Sequence, residues 1–281
     1  MTPYYEDDFA TIYHGDCAEV LASLPSESVD AVVTSPPYAE QRKATYGGIR
    51  EADYPGWTVR WMEPLKRVLK PDGSVLINIR PHVLGGQISD YTLRTRLALR
   101  DAGWAELDEL IWMKKGGGPP LGHSGRPRRS WESLHWFGLD GRAWCDPVAN
   151  GAPSESIGGL RDCRAATAGW EHLHGHQNGT RPGISRSLDV ATFSTRNNPN
   201  DSADTNHPAP YPPKLAAWCV RLICPPGGVV LDPFSGSGST GVAAIANGRR
   251  YVGVDVVEEY AAMSARRVSK EPPVLDFGGA A

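Results

Sequence analysis

Residues 11–34 alternate between strand and helix, and this alternation constrains the fold more than any other feature of the sequence. Residues 11–14 are β-prone, residues 18–24 have the pattern of a helix, and residues 29–34 form an apolar run typical of a buried strand. Asp16 precedes the helix where its side chain can cap the first turn. Two strands joined by a helix in so short a stretch predict a βαβ unit, which requires a parallel sheet.

The same kind of alternation continues to the end of the chain. Further helices are predicted at residues 57–69, 91–102, 214–224, 240–247 and 258–269, and further strands at residues 74–79, 107–113, 130–137, 229–232 and 251–254. Pro71-Asp72-Gly73 is a turn signal that ends the first of these helices. The chain is therefore expected to adopt an α/β fold.

Composition excludes several classes of protein. No apolar run approaches the ~18 residues that a membrane span needs, and the N-terminus has no secretory signal, so we expect a cytoplasmic protein without a membrane partner. Five cysteines in 281 residues do not suggest a disulfide scaffold. The net charge of -3 argues against a protein that coats nucleic acid indiscriminately, although it permits a local basic groove.

A glycine loop follows the strand at residues 229–232. Residues 236–241 fit G-x-G-x-x-G between a strand and a helix, a pattern whose glycines let the backbone approach a ligand closely. Asp255 ends the next strand, where an acidic residue normally binds ribose hydroxyls. Taken alone, the loop fits a nicotinamide-dependent oxidoreductase as well as a methyltransferase.

Asp232-Pro233-Phe234 favours the methyltransferase. A carboxylate at the strand end can accept a hydrogen bond from an ammonium group, which S-adenosylmethionine has and NAD lacks. Phe234 offers a face for an adenine or a sulfonium. The alternative interpretation is a tight turn whose aromatic ring packs into the core.

Ser35-Pro36-Pro37-Tyr38 leaves the strand at residues 29–34 and indicates the reaction. The exocyclic amine of cytosine or adenine is a poor nucleophile, because its lone pair is delocalised into the ring. The Ser35 hydroxyl and the Pro36 carbonyl could accept its two N–H groups and stabilise the charge that develops on nitrogen. Consecutive prolines stiffen the loop, and Tyr38 could stack on a base taken out of the helix. None of the five cysteines lies in the Pro-Cys context expected of a C5-cytosine enzyme.

Two cationic segments are candidates for DNA binding. The polar stretch at residues 39–56 is interpreted as a loop over the site, and residues 114–129 carry five cations without a carboxylate. A solvated hairpin tip is the alternative for the second segment. The predicted DNA-binding residues are Arg42, Lys43, Lys114, Lys115, Arg126, Arg128 and Arg129.

Residues 140–206 differ from the rest of the chain, since they are rich in Gly, Ser, Asn and Arg and have little periodicity. Such a segment in a compact enzyme is usually a functional loop region or a small inserted domain. It contains Cys145, Cys163, His172, His174 and His176, but the cysteines lack the tight pairs of structural zinc sites. Loop histidines and buried thiols are the preferred interpretation, and no metal is predicted.

Together these motifs resemble those of the amino-methylating DNA methyltransferases. Residues 34–38 are similar to the catalytic motif in its S-P-P-Y form, residues 232–240 to the D-P-F-x-G-x-G-[ST] donor motif, and residues 207–215 to the H-P-A-x-[FY]-P segment before it. Residues 15–17 and 252–255 match shorter family motifs. The order is catalytic motif, target region and donor motif, which is the β arrangement of that family.

The resemblance implies a Rossmann-like, seven-stranded, mostly parallel sheet with one antiparallel hairpin, which is the fold of S-adenosylmethionine-dependent methyltransferases. Residues 1–139 would form the catalytic half, 140–206 an inserted target-recognition region, 207–270 the donor-binding half and 271–281 a flexible tail. Ser35, Pro36, Pro37 and Tyr38 would be catalytic. The donor would bind Asp16, Cys17, His207, Pro208, Tyr211, Asp232, Pro233, Phe234, Gly236, Gly238, Ser239, Thr240 and Asp255.

Ser35 also bears on the substrate, because the family's adenine enzymes favour Asp or Asn at this position and Ser is typical of cytosine-N4 enzymes. We therefore expect site-specific transfer to cytosine N4 in double-stranded DNA, with adenine N6 as the nearest alternative. A nicotinamide-dependent oxidoreductase and a non-catalytic DNA-binding protein are the more distant alternatives. The resemblance also permits a homodimer and a cognate restriction endonuclease as partners.

Overall fold

The computed structural model describes residues 1–41, 47–115, 127, 129–153, 184–194 and 211–271. Within these ranges, no helix combines the length and the apolar character needed to cross a membrane. The described chain forms a central β-sheet with helices packed on both faces, which confirms the predicted α/β class.

Nine strands of the described chain form the central sheet. They are β1 (Tyr5–Glu6), β2 (Ala10–His14), β3 (Val29–Thr34), β4 (Leu69–Ile79), β7 (Ala105–Lys115), β8 (Trp131–Gly138), β9 (Val190–Ser194), β10 (Val229–Asp232) and β11 (Arg250–Asp255), and their spatial order is β1-β2-β11-β10-β3-β4-β8-β7-β9. Two short strands, β5 (Val83–Leu84) and β6 (Gln87–Ile88), form a separate hairpin.

The strand count differs from the predicted seven. The strands from β2 to β7 in spatial order are the seven expected ones, parallel from β2 to β4 and closed by the antiparallel β7–β8 hairpin. The additional strands lie at the two edges, where β1 pairs antiparallel with β2 and β9 pairs parallel with β7. β1 is only two residues long, and β9 lies in a segment without a clear period, so neither gave a readable signal.

Seven helices of the described chain cover the sheet. They are α1 (Cys17–Ser23), α2 (Tyr54–Met62), α3 (Leu65–Val68), α4 (Tyr91–Asp101), α5 (Pro213–Ile223), α6 (Ser239–Ile245) and α7 (Glu258–Val268). The first four contribute to one apolar core cluster, and the last three contribute to a second. Val32 of β3 belongs to the first cluster and Val33 to the second, so the sheet is the middle layer of an α/β/α sandwich.

The sequence predicts one helix over residues 57–69, but the structure has two. α2 begins at Tyr54 and ends at Met62, and α3 begins after Pro64. The Pro64 ring cannot donate the backbone hydrogen bond that would continue α2, so the chain restarts as a new turn. Residues 71–73, predicted as a turn, lie in the first part of β4, where its register with β3 shifts.

The segment 140–206 is described only in part. Its residues 190–194 form β9, which extends the main sheet, and Trp144 donates its backbone N–H to the Asp72 carbonyl. Cys145 is half-buried, and burial raises the pKa of its thiol to about 11. Cys163, His172, His174 and His176 lie outside the described residues. The proposed division at residues 140 and 206 stays a prediction.

Candidate active site

The two motif-bearing loops meet at one edge of the sheet, because β3 and β10 are parallel neighbours whose carboxyl ends coincide. Thr34, the last residue of β3, donates its hydroxyl to Asp232 Oδ1 at 2.7 Å. Thr240, in the first turn of α6, donates to Asp232 Oδ2 at 2.6 Å. A hydrogen-bonded chain of three side chains therefore joins residues that are about 200 positions apart in sequence.

The Ser35–Tyr38 loop leaves β3 at this junction. Pro36 and Pro37 are buried, and Ser35 and Tyr38 are half-buried. The Ser35 hydroxyl donates to the Asn78 carbonyl at 3.3 Å, so its oxygen keeps lone pairs available to accept from a ligand. Tyr38 donates its hydroxyl to Glu132 Oε2 at 3.0 Å. Burial and the neighbouring Glu132 raise the pKa of Tyr38 well above its usual value, so the phenol stays protonated.

Asp232 has no exposed oxygen with which to meet a ligand in this structure. Its side chain is 1 % exposed, and besides the two threonine hydroxyls it accepts the Phe234 backbone N–H at 3.1 Å. Burial raises its pKa to about 6, despite the opposing hydrogen bonds from Thr240 and Thr34. In this structure the carboxylate joins the two loops, and its expected direct contact with an ammonium group stays a prediction.

The glycine loop adopts a turn that needs glycine at two positions. Gly236 and Gly238 have φ values of 51° and 78°, a region that residues with a Cβ avoid. A Cβ on Gly238 would lie 2.6 Å from Ser264 Oγ. Arg267 of α7 donates to the Ser237 carbonyl at 2.6 Å, and this hydrogen bond links the loop to α7.

Asp255 holds the loop in place and does not extend towards open space. Its side chain is 2 % exposed and accepts the backbone N–H groups of Gly236 at 2.8 Å and Val257 at 2.9 Å. The expectation that this carboxylate faces ribose hydroxyls is therefore not supported by its position. Its buried oxygens tie the loop after β10 to the end of β11.

Three side chains beside the loop remain accessible at the same edge. Phe234 is half-buried and packs its ring 5.4 Å from Trp57 and 5.1 Å from Trp61, centroid to centroid. Tyr211 is half-buried, and its hydroxyl bonds to Thr240. Asp16, after β2, is exposed and caps α1 by accepting the Ala18 N–H at 2.9 Å. Aromatic faces, a carboxylate and a close-approach glycine turn suit a nucleoside-containing ligand.

Cys17 and the flanking residues complete the predicted donor set. Cys17 is half-buried, and burial raises the pKa of its thiol to about 12, which disfavours the thiolate; its place in the donor site stays a prediction. Pro233, Ser239 and Thr240 are buried in and beside the glycine loop. His207 and Pro208 lie outside the described residues.

The prediction that Lys114 lies in an open basic loop is wrong. Lys114 belongs to β7, is 7 % exposed, and forms an ion pair with Glu132 of β8. An ammonium group buried against a carboxylate is not available to a phosphate, so the position of Lys114 gives no support to a role in DNA binding. Lys115 ends β7 with its side chain exposed, and Arg129 donates to the Pro81 carbonyl. Arg42, Lys43, Arg126 and Arg128 lie outside the described residues.

Glu132, Asn78 and Arg80 were missed by sequence reasoning. A signal for Glu132 was present, since the predicted strand places it on the same face as Leu134 and Trp136. A carboxylate on an apolar strand face is rarely buried without a partner, so this pattern indicates a buried, paired Glu132. Asn78 and Arg80 carried no comparable signal.

Comparison with known proteins identifies the class to which the fold and site belong. A DNA methylase family profile (N6_N4_Mtase) matches residues 29–266, and the chain belongs to this family. The nicotinamide interpretation of the glycine loop is therefore wrong.

Individual relatives agree with this assignment. The chain is 30% identical to the type II methyltransferase M.XycI of Xanthomonas campestris pv. cyanopsidis, over 92% of this chain and 87% of the relative. It is 27% identical to M.PvuII of Proteus hauseri, over 94% and 85%. The solved structure named PvuII DNA methyltransferase (cytosine-N4-specific) superimposes with a TM-score of 0.74 at 25% identity, covering 99% of this chain and 90% of that one. A putative DNA modification methylase of Thermus thermophilus, solved in complex with S-adenosyl-L-methionine, gives a TM-score of 0.60 at 25% identity, covering 95% and 97%.

Proposed function

We propose that the protein transfers a methyl group from S-adenosylmethionine to the N4 amine of cytosine in double-stranded DNA. The observation that carries the proposal is the junction of β3 and β10, where the Ser35–Tyr38 loop and the glycine loop are joined through Asp232. A reaction between a base amine and a methyl donor needs both ligands side by side, and this junction offers adjoining places for them.

The preference for cytosine is supported by Ser35 and by the name of one solved relative. Ser35 occupies the first position of the catalytic motif, where the family's adenine enzymes favour a carboxylate or an amide. The structure that superimposes with a TM-score of 0.74 is named cytosine-N4-specific. Adenine N6 remains the second candidate, because both bases present the same kind of amine.

Ser35 and Pro36 would act on the amine. The Ser35 oxygen accepts one N–H group of the target, while its own O–H continues to donate to the Asn78 carbonyl. The Pro36 carbonyl accepts the other N–H, and two acceptors favour the pyramidal nitrogen that carries the developing positive charge. Tyr38, fixed by its hydroxyl, stacks on the base after it leaves the duplex. A proton then leaves to solvent.

The residues at the donor side fit S-adenosylmethionine, which supplies an activated methyl group as a sulfonium. Gly236 and Gly238 allow its close approach, and Phe234 and Tyr211 offer aromatic faces beside it. Asp16 lies where an adenosine hydroxyl or amine could be bound. His207 and Pro208 are assigned to the methionine side by resemblance alone.

Sequence-specific DNA binding is assigned to residues 140–206 and to the cations Arg42, Lys43, Lys115, Arg126, Arg128 and Arg129. A homodimer and a cognate restriction endonuclease are further proposals drawn from the family, as is a cytoplasmic location. Sedimentation of the purified protein, with and without duplex DNA, tests the dimer.

Nucleoside mass spectrometry tests the proposed reaction. DNA from a methylation-deficient host that expresses the protein is digested and analysed, and single-molecule sequencing gives the modified context. N4-methylcytosine in one recurring sequence is the expected result. N6-methyladenine would contradict the base assignment, and unmodified DNA would favour a non-catalytic DNA-binding protein.

A further inference from the structure

A row of polar side chains crosses four adjacent strands behind the Ser35–Tyr38 loop. β3, β4, β8 and β7 are neighbours in that order, and their ends beside the loop coincide because β8 runs antiparallel to both β4 and β7. The row consists of Tyr38, which follows β3; Asn78, in β4; Arg80, which follows β4; Glu132, in β8; and Lys114, in β7. Charged side chains are rarely buried in such a row on an otherwise apolar sheet face, which suggests a functional role.

Glu132 is the centre of this row. Its side chain is 5 % exposed, and its Oε1 faces two cations, Lys114 in a buried ion pair and Arg80 Nε at 3.3 Å. Its other oxygen, Oε2, accepts the Tyr38 hydroxyl at 3.0 Å. A carboxylate this deeply buried is costly unless cations and hydrogen bonds surround it, and here they leave one oxygen directed at the loop.

Asn78 closes the arrangement on the other side of the loop. Its amide nitrogen donates to the Ser133 carbonyl at 3.0 Å, which fixes the side chain, and its Oδ1 lies 3.4 Å from the Tyr38 hydroxyl. Its backbone carbonyl accepts the Ser35 hydroxyl at 3.3 Å. Ser35 and Tyr38 are therefore both held from β4, and Tyr38 is held additionally from β8.

We propose that Glu132 is the positioning residue of the target-base site, acting through the Tyr38 hydroxyl to fix the plane of the ring on which the base stacks. The inference rests on the proposed function. Lys114 and Arg80 balance the charge of Glu132, which explains why a lysine next to a basic segment is buried. A hydrogen bond to a charged acceptor is stronger than one to a neutral acceptor and more directional than ring packing alone.

A double-mutant cycle of Glu132→Asp and Tyr38→Phe tests this role. Aspartate keeps the charge for Lys114 but draws the carboxylate away from Tyr38, and phenylalanine keeps the ring. Each single variant is expected to lower kcat on DNA about 10-fold. The double variant should fall no more than about 2-fold below the singles, because both changes break the same hydrogen bond. Affinity for S-adenosylmethionine, measured by calorimetry, should stay within about 2-fold of wild type.

Glu109→Asp is the matched control, since Glu109 lies on β7 but bonds to Ser133 and Arg96 away from the loop. It should leave kcat unchanged. The positioning role would be overturned if the kcat losses of the two single variants multiplied in the double variant. It would also be overturned if Tyr38→Phe kept wild-type kcat, and this second test holds even if Glu132→Asp fails to fold. Wild-type protein that methylates no DNA would instead refute the proposed function itself.

Discussion

In the proposed site, the Ser35 hydroxyl is already oriented before the weakly nucleophilic base amine binds. Its proton is directed to the Asn78 carbonyl, which leaves the oxygen free to accept from the target amine under the proposed function. Pro36 and Pro37, which follow it, restrict the backbone of the loop. An acceptor that is already oriented needs no reorganisation when charge develops on the amine.

Ser35→Ala should lower kcat on DNA about 10- to 100-fold, because one acceptor for the amine is lost at the moment its charge develops. Binding of S-adenosylmethionine, followed by calorimetry, should remain close to wild type. Ser28→Ala removes a hydroxyl that bonds to the Pro25 carbonyl before β3 and should leave kcat unchanged. Full turnover in Ser35→Ala would remove the residue from the mechanism.

Asp232 gives a pH dependence of stability that can be tested. Burial raises its pKa from 3.8 to about 6, so the folded protein binds more protons than the unfolded chain between these values, and the stability contributed by this group falls as pH rises. Asp232→Asn has no such group. Its free energy of unfolding relative to wild type should increase by about 2 kcal/mol between pH 4 and pH 7. Denaturant titrations at both pH values measure it, and an unchanged difference would show that the pKa is not raised.

At the scale of an element, the glycine loop is fixed by the close packing around its glycines. Gly238 is the N-cap of α6, and both its positive φ and the nearness of Ser264 exclude a side chain. Gly241, one turn later, would place a Cβ 2.5 Å from the ring of Tyr251. α6 can therefore lie close against β11 and α7, which brings its first turn to the end of β10.

A comparison of Gly238→Ala with Gly227→Ala separates the cost of backbone strain from the cost of a steric clash of the added Cβ. Both glycines have similar φ values, 78° and 74°, but nothing lies within 4 Å of a Cβ on Gly227. Gly227→Ala should cost about 1 kcal/mol of stability, and Gly238→Ala about 1–3 kcal/mol more. Affinity for S-adenosylmethionine should fall only in Gly238→Ala. Equal costs in thermal unfolding, with equal affinities, would refute the tight packing of the loop.

The elements were largely predictable from sequence, whereas the pairing of their charges was not. Apolar periodicity located β3, β10 and the helices, except that it merged α2 and α3 into one, and the glycine pattern located the turn before α6. The sequence analysis placed Lys114 in a basic loop and did not single out Glu132, because the two side chains become neighbours only when β7 and β8 pair. Asp232 was predicted to bind the methyl donor, and the sequence does not show that the hydroxyls of Thr34 and Thr240 donate to its carboxylate.

At the scale of the whole molecule, the two motif-bearing parts of the chain are interleaved. β10, from the C-terminal part, lies between β3 and β11, and β11 pairs with β2 from the N-terminal part. Neither part has a complete sheet of its own. The proposed catalytic and donor sites therefore lie on one folding unit.

Equilibrium unfolding should accordingly be a single transition. Tryptophan fluorescence, which reports on all nine tryptophans of the chain, and far-UV circular dichroism should give coincident curves in denaturant. Two separated transitions would indicate that the N-terminal and C-terminal parts fold independently.

The meeting of the two loops can be tested most directly by a crystal structure of the protein with S-adenosylhomocysteine and a duplex that contains its methylation site. The target cytosine is expected outside the helix, with its N4 amine within hydrogen-bonding distance of Ser35 Oγ and the Pro36 carbonyl, and with its ring against Tyr38. A base that stays stacked in the duplex, or an amine bound away from the ends of β3 and β10, would contradict the proposed site.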